Sequence, residues 1–261
     1  MNIRKRPSVV AFFVLAFAMA IPIIAVGLLI PAVPNTPKNG PITDLALAFV
    51  PMTAAMILIY RYDGAAGVKS LLRRAVDRRL IAGKGWWVVI VATMPLITLT
   101  TFAVTALMGQ STVSDTAIPW EFMPVLYVIF WFMAAGEEIG WLGYAMDPLQ
   151  RRFGALGACV VFSIPWTVAH IPSILMMGQT WTYIGAQFLA SVGIRIIWQW
   201  VYNNNARSIL AVICMHAFAN ICGTYFMQQY DVATIVVVAA LIVLIFGART
   251  LTRSPRQPVP A

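Results

Sequence analysis

The sequence predicts an all-α membrane protein, a polytopic transmembrane helix bundle of about eight spans. Hydrophobic residues make up 61% of the 261 residues and charged residues only 10%, whereas a soluble domain of this length carries roughly 25% charged residues. The mean hydropathy is +0.82. Long apolar runs, each sufficient for a helix that crosses a bilayer, recur along the chain. These observations exclude a soluble enzyme and predict a single membrane-embedded domain over residues 1–261.

The apolar runs are separated by short connections that are polar or rich in proline and glycine. In chain order, the predicted spans cover about residues 8–33, 42–60, 86–108, 120–145, 155–177, 181–202, 208–228 and 232–248, the fourth starting at residue 120 or 124. The first run follows a basic start, as in a signal peptide, but it exceeds the roughly 7–15 residues of a signal-peptide core. It therefore predicts an uncleaved first span, kinked at Pro22.

The distribution of lysine and arginine predicts that both termini are cytoplasmic. With eight spans, the segments 1–7, 61–85, 146–154, 203–207 and 249–261 share one side and carry 16 of the 18 basic residues. Cytoplasmic segments of membrane proteins carry such an excess. The net charge of +9 is thereby explained without nucleic acid, whose single strands would also need aromatic stacking platforms. We expect an integral, multi-pass protein of a bacterial plasma membrane, in contact with the lipid bilayer.

The longest polar connection, residues 61–85, is predicted to be a basic cytoplasmic loop. Apolar residues recur at helical spacing among its cations, at Val68, Leu71, Leu72, Ala75, Val76 and Leu80. Two interpretations stay open, namely a short amphipathic helix on the anionic inner surface of the membrane and a solvated loop that only fixes topology. The basic, proline-rich tail 249–261 is predicted to be disordered.

Ionisable residues are rare in this chain, yet several lie inside its most apolar segments. Glu137 and Glu138 are adjacent in the fourth span, and the two histidines, His170 and His216, lie in the fifth and seventh. A glutamate at membrane depth costs at least ~2.5 kcal/mol, so it indicates a partner, a pathway or a reaction. Adjacent helical residues diverge by about 100°, which predicts different roles for the two glutamates.

The polar residues of the fifth and seventh spans occur in pairs at helical spacing. Trp166 and His170 are four residues apart, as are His216 and Asn220, so each pair projects from one helix face. With the glutamates, these faces predict one polar cavity formed by three spans. Small residues that permit close helix approach surround the glutamates, at Gly136, Gly140 and Gly143.

These motifs, each on its own apolar span, resemble the CPBP family. This family includes type II CAAX prenyl proteases and the bacteriocin-processing or immunity proteins also called Abi proteins. The resemblance rests on Glu137-Glu138, on the aromatic residue and histidine of Trp166…His170, and on His216…Asn220. It covers about residues 131–220, within a motif-bearing core of about 120–228. The family also implies an eight-span layout.

The sequence departs from the family pattern at two positions. The first motif usually carries an arginine four residues after the second glutamate, where this chain has Leu142. The second motif usually begins with phenylalanine, where this chain has Trp166. The tryptophan is a conservative aromatic exchange, but the leucine removes a cation. We predict that Arg195, at a similar depth in the sixth span, pairs with Glu138 instead.

The resemblance implies an intramembrane endopeptidase that cleaves a membrane-associated protein or peptide. It implies that Glu137 activates water with help from His170, and that His216 and Asn220 stabilise the oxyanion. Glu138, Trp166 and Arg195 would support these groups. A zinc ion held by Glu137, His170 and His216 is the alternative, because His₂Glu is a known catalytic ligand set. No H-E-x-x-H motif accompanies it, so we favour the metal-free scheme and commit to no cofactor.

Two other function classes stay open. A non-catalytic scaffold or bacteriocin-immunity protein on the same fold would explain Leu142. A proton-coupled transporter could use glutamate and histidine as a relay, but it would need polar residues in both halves of the membrane. The predicted depths of Arg195 and His216 place the polar groups toward the cytoplasmic half, which favours an inward-facing pocket. No feature of the sequence specifies a substrate, a cleavage site or an oligomeric state.

Overall fold

Every regular element of the described chain is helical, which confirms the predicted all-α class. The computed structural model describes residues 8–29, 43–109, 118–226 and 231–252. Its α-helices are α1 (Val9–Leu29), α2 (Thr43–Leu47), α3 (Val50–Val76), α4 (Lys84–Leu107), α5 (Met123–Gly140), α6 (Asp147–Met176), α7 (Trp181–Asn204), α8 (Ile209–Tyr225) and α9 (Asp231–Phe246). The N-terminal cations, the connection around Lys38 and the loop around Asp115 lie outside the described residues.

Several of these helices are long and apolar enough to cross a membrane. Within the described ranges, five segments meet this criterion, at Val9–Leu29, Thr43–Val76, Lys84–Leu107, Trp120–Met176 and Trp181–Asn204. The helices α8 and α9 are shorter but apolar. The helices correspond in order to the predicted spans, and the protein is an integral, multi-pass membrane protein. The number of crossings and the cytoplasmic placement of the termini stay predictions.

The segment Trp120–Met176 is 57 residues long, about 85 Å as one straight helix and far more than a bilayer of about 30 Å needs. It is divided at Gly154, whose φ of 70° interrupts α6. The part of α6 after this glycine matches the predicted fifth span. The predicted connection 146–154 is helical, because the π-helix Trp141–Met146 joins α5 directly to α6.

A second break divides α3 into an apolar half and a basic half. Gly64 has a φ of 66° inside this helix. After the break, residues 65–76 remain helical, with Leu71 and Ala75 buried and Lys69 exposed. The amphipathic helix that was one of the two interpretations of this stretch is therefore present. Its cytoplasmic location stays a prediction.

The glycines near the two glutamates bring α5 against α3. A side chain at Gly136 would meet the backbone carbonyl of Ala48, and one at Gly140 would meet the backbone of Pro51. A side chain at Gly143 would collide with Leu71. The close helix approach predicted from these small residues is confirmed, and it fixes the depth and rotation of α5 in the bundle.

The C-terminal segment forms hydrogen bonds to the first residues after the break in α6. The amides of Ala155 and Leu156 donate to the carbonyl oxygens of Arg249 (2.9 Å) and Ala248 (3.0 Å). Leu251 is fully buried. These hydrogen bonds satisfy amides that a helix start leaves without partners. The first residues of the predicted disordered tail are thus ordered, and residues 253–261 lie outside the described chain.

Candidate active site

Three charged or polar side chains meet in the interior of the bundle, on α5, α7 and α8. Glu138 is fully buried. Nη1 and Nη2 of Arg195 donate to its two carboxylate oxygens at 2.8 Å and 3.2 Å. Nδ1 of His216 lies 3.1 Å from Oε1 of the same carboxylate. The pairing of Arg195 with Glu138 that the sequence predicts is therefore present.

Aromatic rings surround this buried charge cluster. The guanidinium of Arg195 lies over the rings of Phe162, at 4.3 Å from the centroid, and Trp198, at 5.0 Å. The imidazole of His216 lies against Trp198, with the ring centroids 4.6 Å apart. A cation held over aromatic faces gains from their quadrupoles when water is excluded. The rings therefore help to offset the desolvation of Arg195.

The cluster also assigns the tautomer of His216. An ionised carboxylate only accepts hydrogen bonds, and the bidentate contact with Arg195 favours the ionised form of Glu138. The Nδ1 atom of His216 must then carry the hydrogen and donate it to Glu138. The other ring nitrogen, Nε2, remains for a second partner.

The second glutamate has a different environment. Glu137 is half-buried, and its Oε2 accepts a long hydrogen bond of 3.4 Å from the indole Nε1 of Trp166. It makes no ion pair with the lysines or arginines of the described chain. The two adjacent glutamates therefore differ as predicted, since one is held in a charge cluster and the other faces a single weak donor.

Trp166 connects Glu137 to the first histidine. The Nδ1 atom of His170 lies 2.8 Å from the carbonyl oxygen of Trp166, so this nitrogen carries a hydrogen and donates it. The two rings lie against each other, with centroids 4.0 Å apart. The shared helix face predicted for these residues is confirmed. Glu137, Trp166 and His170 form one continuous group.

One acidic residue near this group was not predicted. Asp44 on α2 accepts a hydrogen bond of 2.6 Å from Oγ of Ser173. Its carboxylate is also close enough to interact electrostatically with His170 and Glu137. The sequence did hold an indication of a functional role, because Asp44 is the only acidic residue of the predicted span 42–60. Its place at the start of a span made it resemble an ordinary helix-start residue.

A cavity of about 130 Å³ lies between α6, α7 and α8. Its lining includes Trp166, Arg195, His216 and Asn220. Glu137 and His170 are not among its lining residues in the described part of the chain. Trp166 lines the cavity and also donates to Glu137. A single cavity shared by the three motif-bearing spans stays a prediction.

The cavity extends along α7 from Trp198 through Arg195 to Gln187. This direction leads away from the turn at 203–207. The opening of the pocket toward the cytoplasm stays a prediction.

The side chains do not form the alternative zinc site. In the parts of the chain that the structure describes, no three His, Cys, Asp or Glu side chains are grouped closely enough to hold a metal ion. His216 is hydrogen-bonded to Glu138, and Nδ1 of His170 donates to the carbonyl oxygen of Trp166. The residues therefore do not fit a His₂Glu site.

Fold and site together define a multi-pass membrane protein with a carboxylate–histidine centre among its helices. Residues 119–222, which contain all the motif residues, match the family model described as type II CAAX prenyl endopeptidase Rce1-like. The predicted resemblance is confirmed over this motif-bearing part of the chain.

A curated relative supports the same relationship. The chain is 33% identical over 109 residues to CAAX prenyl protease 2 of Methanococcus maripaludis. The matched region covers 39% of this chain and 40% of that protein, so the chain matches about two fifths of the relative's length. The relationship to the Abi proteins stays a prediction, as does the location in a bacterial plasma membrane.

Proposed function

We propose that this protein is an intramembrane endopeptidase in which Glu137 activates the attacking water. The observation that carries the proposal is the difference between the two adjacent glutamates. Glu138 is neutralised by Arg195 and His216, whereas Glu137 is half-buried beside one long hydrogen bond from Trp166. A carboxylate without a strong partner, in a partly desolvated place, is suited to act as a general base.

In this mechanism, Glu137 removes a proton from water as the water oxygen attacks the carbonyl carbon of the scissile peptide bond. His170 orients that water from the same side. The proton held on Glu137 then passes to the leaving amine as the carbon–nitrogen bond breaks. The single carboxylate thus serves first as base and then as acid, and Glu137 returns to its ionised form at the end of a turnover.

The oxyanion formed in the attack requires hydrogen-bond donors, and His216 and Asn220 supply them from one face of α8. Asn220 offers its side-chain amide. Because Nδ1 of His216 donates to Glu138, Nε2 donates to the oxyanion only when the ring carries a second proton. The Glu138 carboxylate stabilises that charged ring. The cluster of Glu138, Arg195 and His216 then has a net positive charge facing the developing oxyanion, which is the arrangement that favours such a transition state.

The decisive experiment compares wild-type protein with Glu137→Gln in liposomes, using a panel of membrane-associated peptides. The glutamine is nearly isosteric, so we expect the fold to persist and cleavage to fall by about 10³-fold or more. Glu121→Gln, an exposed glutamate before α5, is the matched control and should cleave like wild type. Equal cleavage by Glu137→Gln would refute the proposed base.

Metal content is measured on the same samples. Stable cleavage after treatment with a chelator agrees with the metal-free mechanism. About one zinc per active chain, with activity lost on chelation, would contradict it.

The principal alternative is a non-catalytic scaffold or immunity protein. Its main support was Leu142, which stands where the family carries an arginine. Arg195 makes a bidentate contact with Glu138, so the missing cation is supplied from another helix and this support is lost. A proton-coupled transporter, the third class, predicts proton uptake into liposomes that Glu137→Gln would abolish.

A further inference from the structure

We propose that Asp44 is a positioning residue for the Glu137–His170 pair, so that α2 is part of the reaction centre. The Asp44 carboxylate, held by Ser173, places a negative charge close to His170 and Glu137. This inference rests on the proposed function. The first residues of the second span would then serve the reaction as well as the fold.

The connection between α2 and α3 packs against α5 and places Asp44 near Glu137. The backbone carbonyl of Ala48 and the ring of Phe49 lie so close to Gly136 that no side chain fits there. The amide of Ala48 donates to the carbonyl oxygen of Asp44 at 3.0 Å, so Asp44 lies one helical turn from this contact. Gly136 directly precedes Glu137.

The contact between α2 and α6 places Asp44 beside His170. Ser173 is buried and donates from Oγ to Oδ1 of Asp44 at 2.6 Å. Ser173 follows His170 by three residues, so both side chains lie on adjoining parts of one helix face. One carboxylate therefore connects the helix of Glu137 to the helix of His170.

Electrostatics gives this position a chemical consequence. The charge of Asp44 interacts favourably with a protonated His170 and unfavourably with an ionised Glu137. Such interactions are stronger in a low-dielectric interior than in water. The charge of Asp44 therefore acts on both residues of the proposed reaction centre.

A purely structural role makes a different prediction, because Ser173 and Asp44 could simply fasten α2 to α6. Asp44→Asn separates the two cases. Asparagine is nearly isosteric, and its side-chain oxygen still accepts a hydrogen bond from Ser173. The link between α2 and α6 therefore remains while the negative charge is lost. Ser173→Ala does the opposite, because it removes the donor and leaves the charge.

The kinetic test measures kcat and KM for these variants in liposomes. For Asp44→Asn we expect kcat to fall by about 10-fold or more with KM nearly unchanged, because the proposed role of Asp44 is to act on the reacting groups. Asp44→Glu should recover part of the lost kcat. Asp77→Asn, which removes a carboxylate bonded to Arg79 outside the bundle, is the matched control and should cleave like wild type. Wild-type kcat in Asp44→Asn would overturn the proposal.

A spectroscopic test does not depend on cleavage. The chain has two histidines, so protein labelled with ¹⁵N in the imidazole rings gives two sets of signals, which His216→Gln assigns. Asp44→Asn should shift the ring-nitrogen signals of His170 and leave those of His216 in place. Unchanged His170 signals would overturn the proposal. Shifts of both histidines with a lower melting temperature would also overturn it, since they indicate a structural role.

The two tests keep this inference apart from the proposed function. If wild-type protein cleaves no peptide, the proposed function fails while the NMR comparison still tests the link between Asp44 and His170. If wild type cleaves and Glu137→Gln does not, then a fully active Asp44→Asn refutes the inference alone.

Discussion

Arg195 on α7 donates two hydrogen bonds to Glu138 on α5, a residue 57 positions earlier in the chain. The pair is almost completely buried, with side-chain exposures of 3% and 0%. It replaces a cation that the related family usually carries within the motif of Glu138 itself. Supplying the charge from a different helix ties α7 to α5 at the level of the proposed reaction centre.

Reversing one charge of this pair should be severely destabilising. We expect Glu138→Arg or Arg195→Glu alone to lower the free energy of unfolding by about 3–5 kcal/mol, because each leaves like charges buried together. The double variant should recover part of this loss. The measurement is unfolding of purified protein in mixed micelles. A double variant no more stable than either single one would show that other contacts hold these helices.

Removing the indole N–H of Trp166 should have a modest effect. Trp166→Phe deletes the 3.4 Å hydrogen bond to Glu137 but keeps a ring against His170, and phenylalanine is the residue that the related family usually has here. A single hydrogen bond contributes about 0.5–1.5 kcal/mol, so kcat/KM should fall by at most about 10-fold. Trp166→Ala, which also removes the ring, should lose considerably more. Equal activity of the two variants would contradict the role given to the ring.

Both proposed oxyanion donors should be needed for a fast reaction. Asn220→Ala should lower kcat by about 10²–10³-fold, the usual effect of losing one such donor. His216→Ala should lower kcat and stability together, because it also removes the hydrogen bond to the buried Glu138 carboxylate. Cleavage kinetics and thermal unfolding on the same preparations provide the check. An unchanged kcat in Asn220→Ala would remove this residue from the mechanism.

The ordered start of the C-terminal segment should matter for folding. Truncation before Arg249 removes the carbonyl acceptor of the Ala155 amide at the break in α6 and removes the buried Leu251. Losing a buried leucine alone costs about 2–5 kcal/mol. The truncated protein should therefore unfold at a clearly lower temperature than the full chain. Truncation after Thr252 keeps these contacts and is the control, and equal stability of the two truncations would contradict the assignment.

Much of this architecture could be predicted because the physics of the bilayer is simple. Apolar runs of sufficient length specify the helices, and a cation placed inside a span must find a carboxylate, which is how Arg195 could be paired with Glu138. Close approach at Gly136 and Gly140 followed from the absence of side chains there. These inferences depend on local composition or on strong, rare interactions.

The rest depends on tertiary geometry that a linear pattern does not carry. Asp44 is a single acid at a span start, with no periodic partner in its own segment, so only folding reveals Ser173 and His170 beside it. The direction of the cavity depends on which side chains of α7 fill space against neighbouring helices. The helical continuation through 146–154 was missed because polar and basic residues there are typical of a connection as well as of a helix.

The π-helix at Trp141–Met146 sets the angular relation between the two ends of this continuous helix. A π-turn contains one more residue than an α-turn needs. A regular α-helix turns by about 100° per residue, so accommodating one extra residue changes the direction in which Asp147 points relative to Glu138. Asp147 lies 3.2 Å from Arg207, and Glu138 pairs with Arg195. The extra residue in the π-helix therefore sets the direction of the Asp147 side chain relative to the Glu138 side chain, so that each meets its own partner.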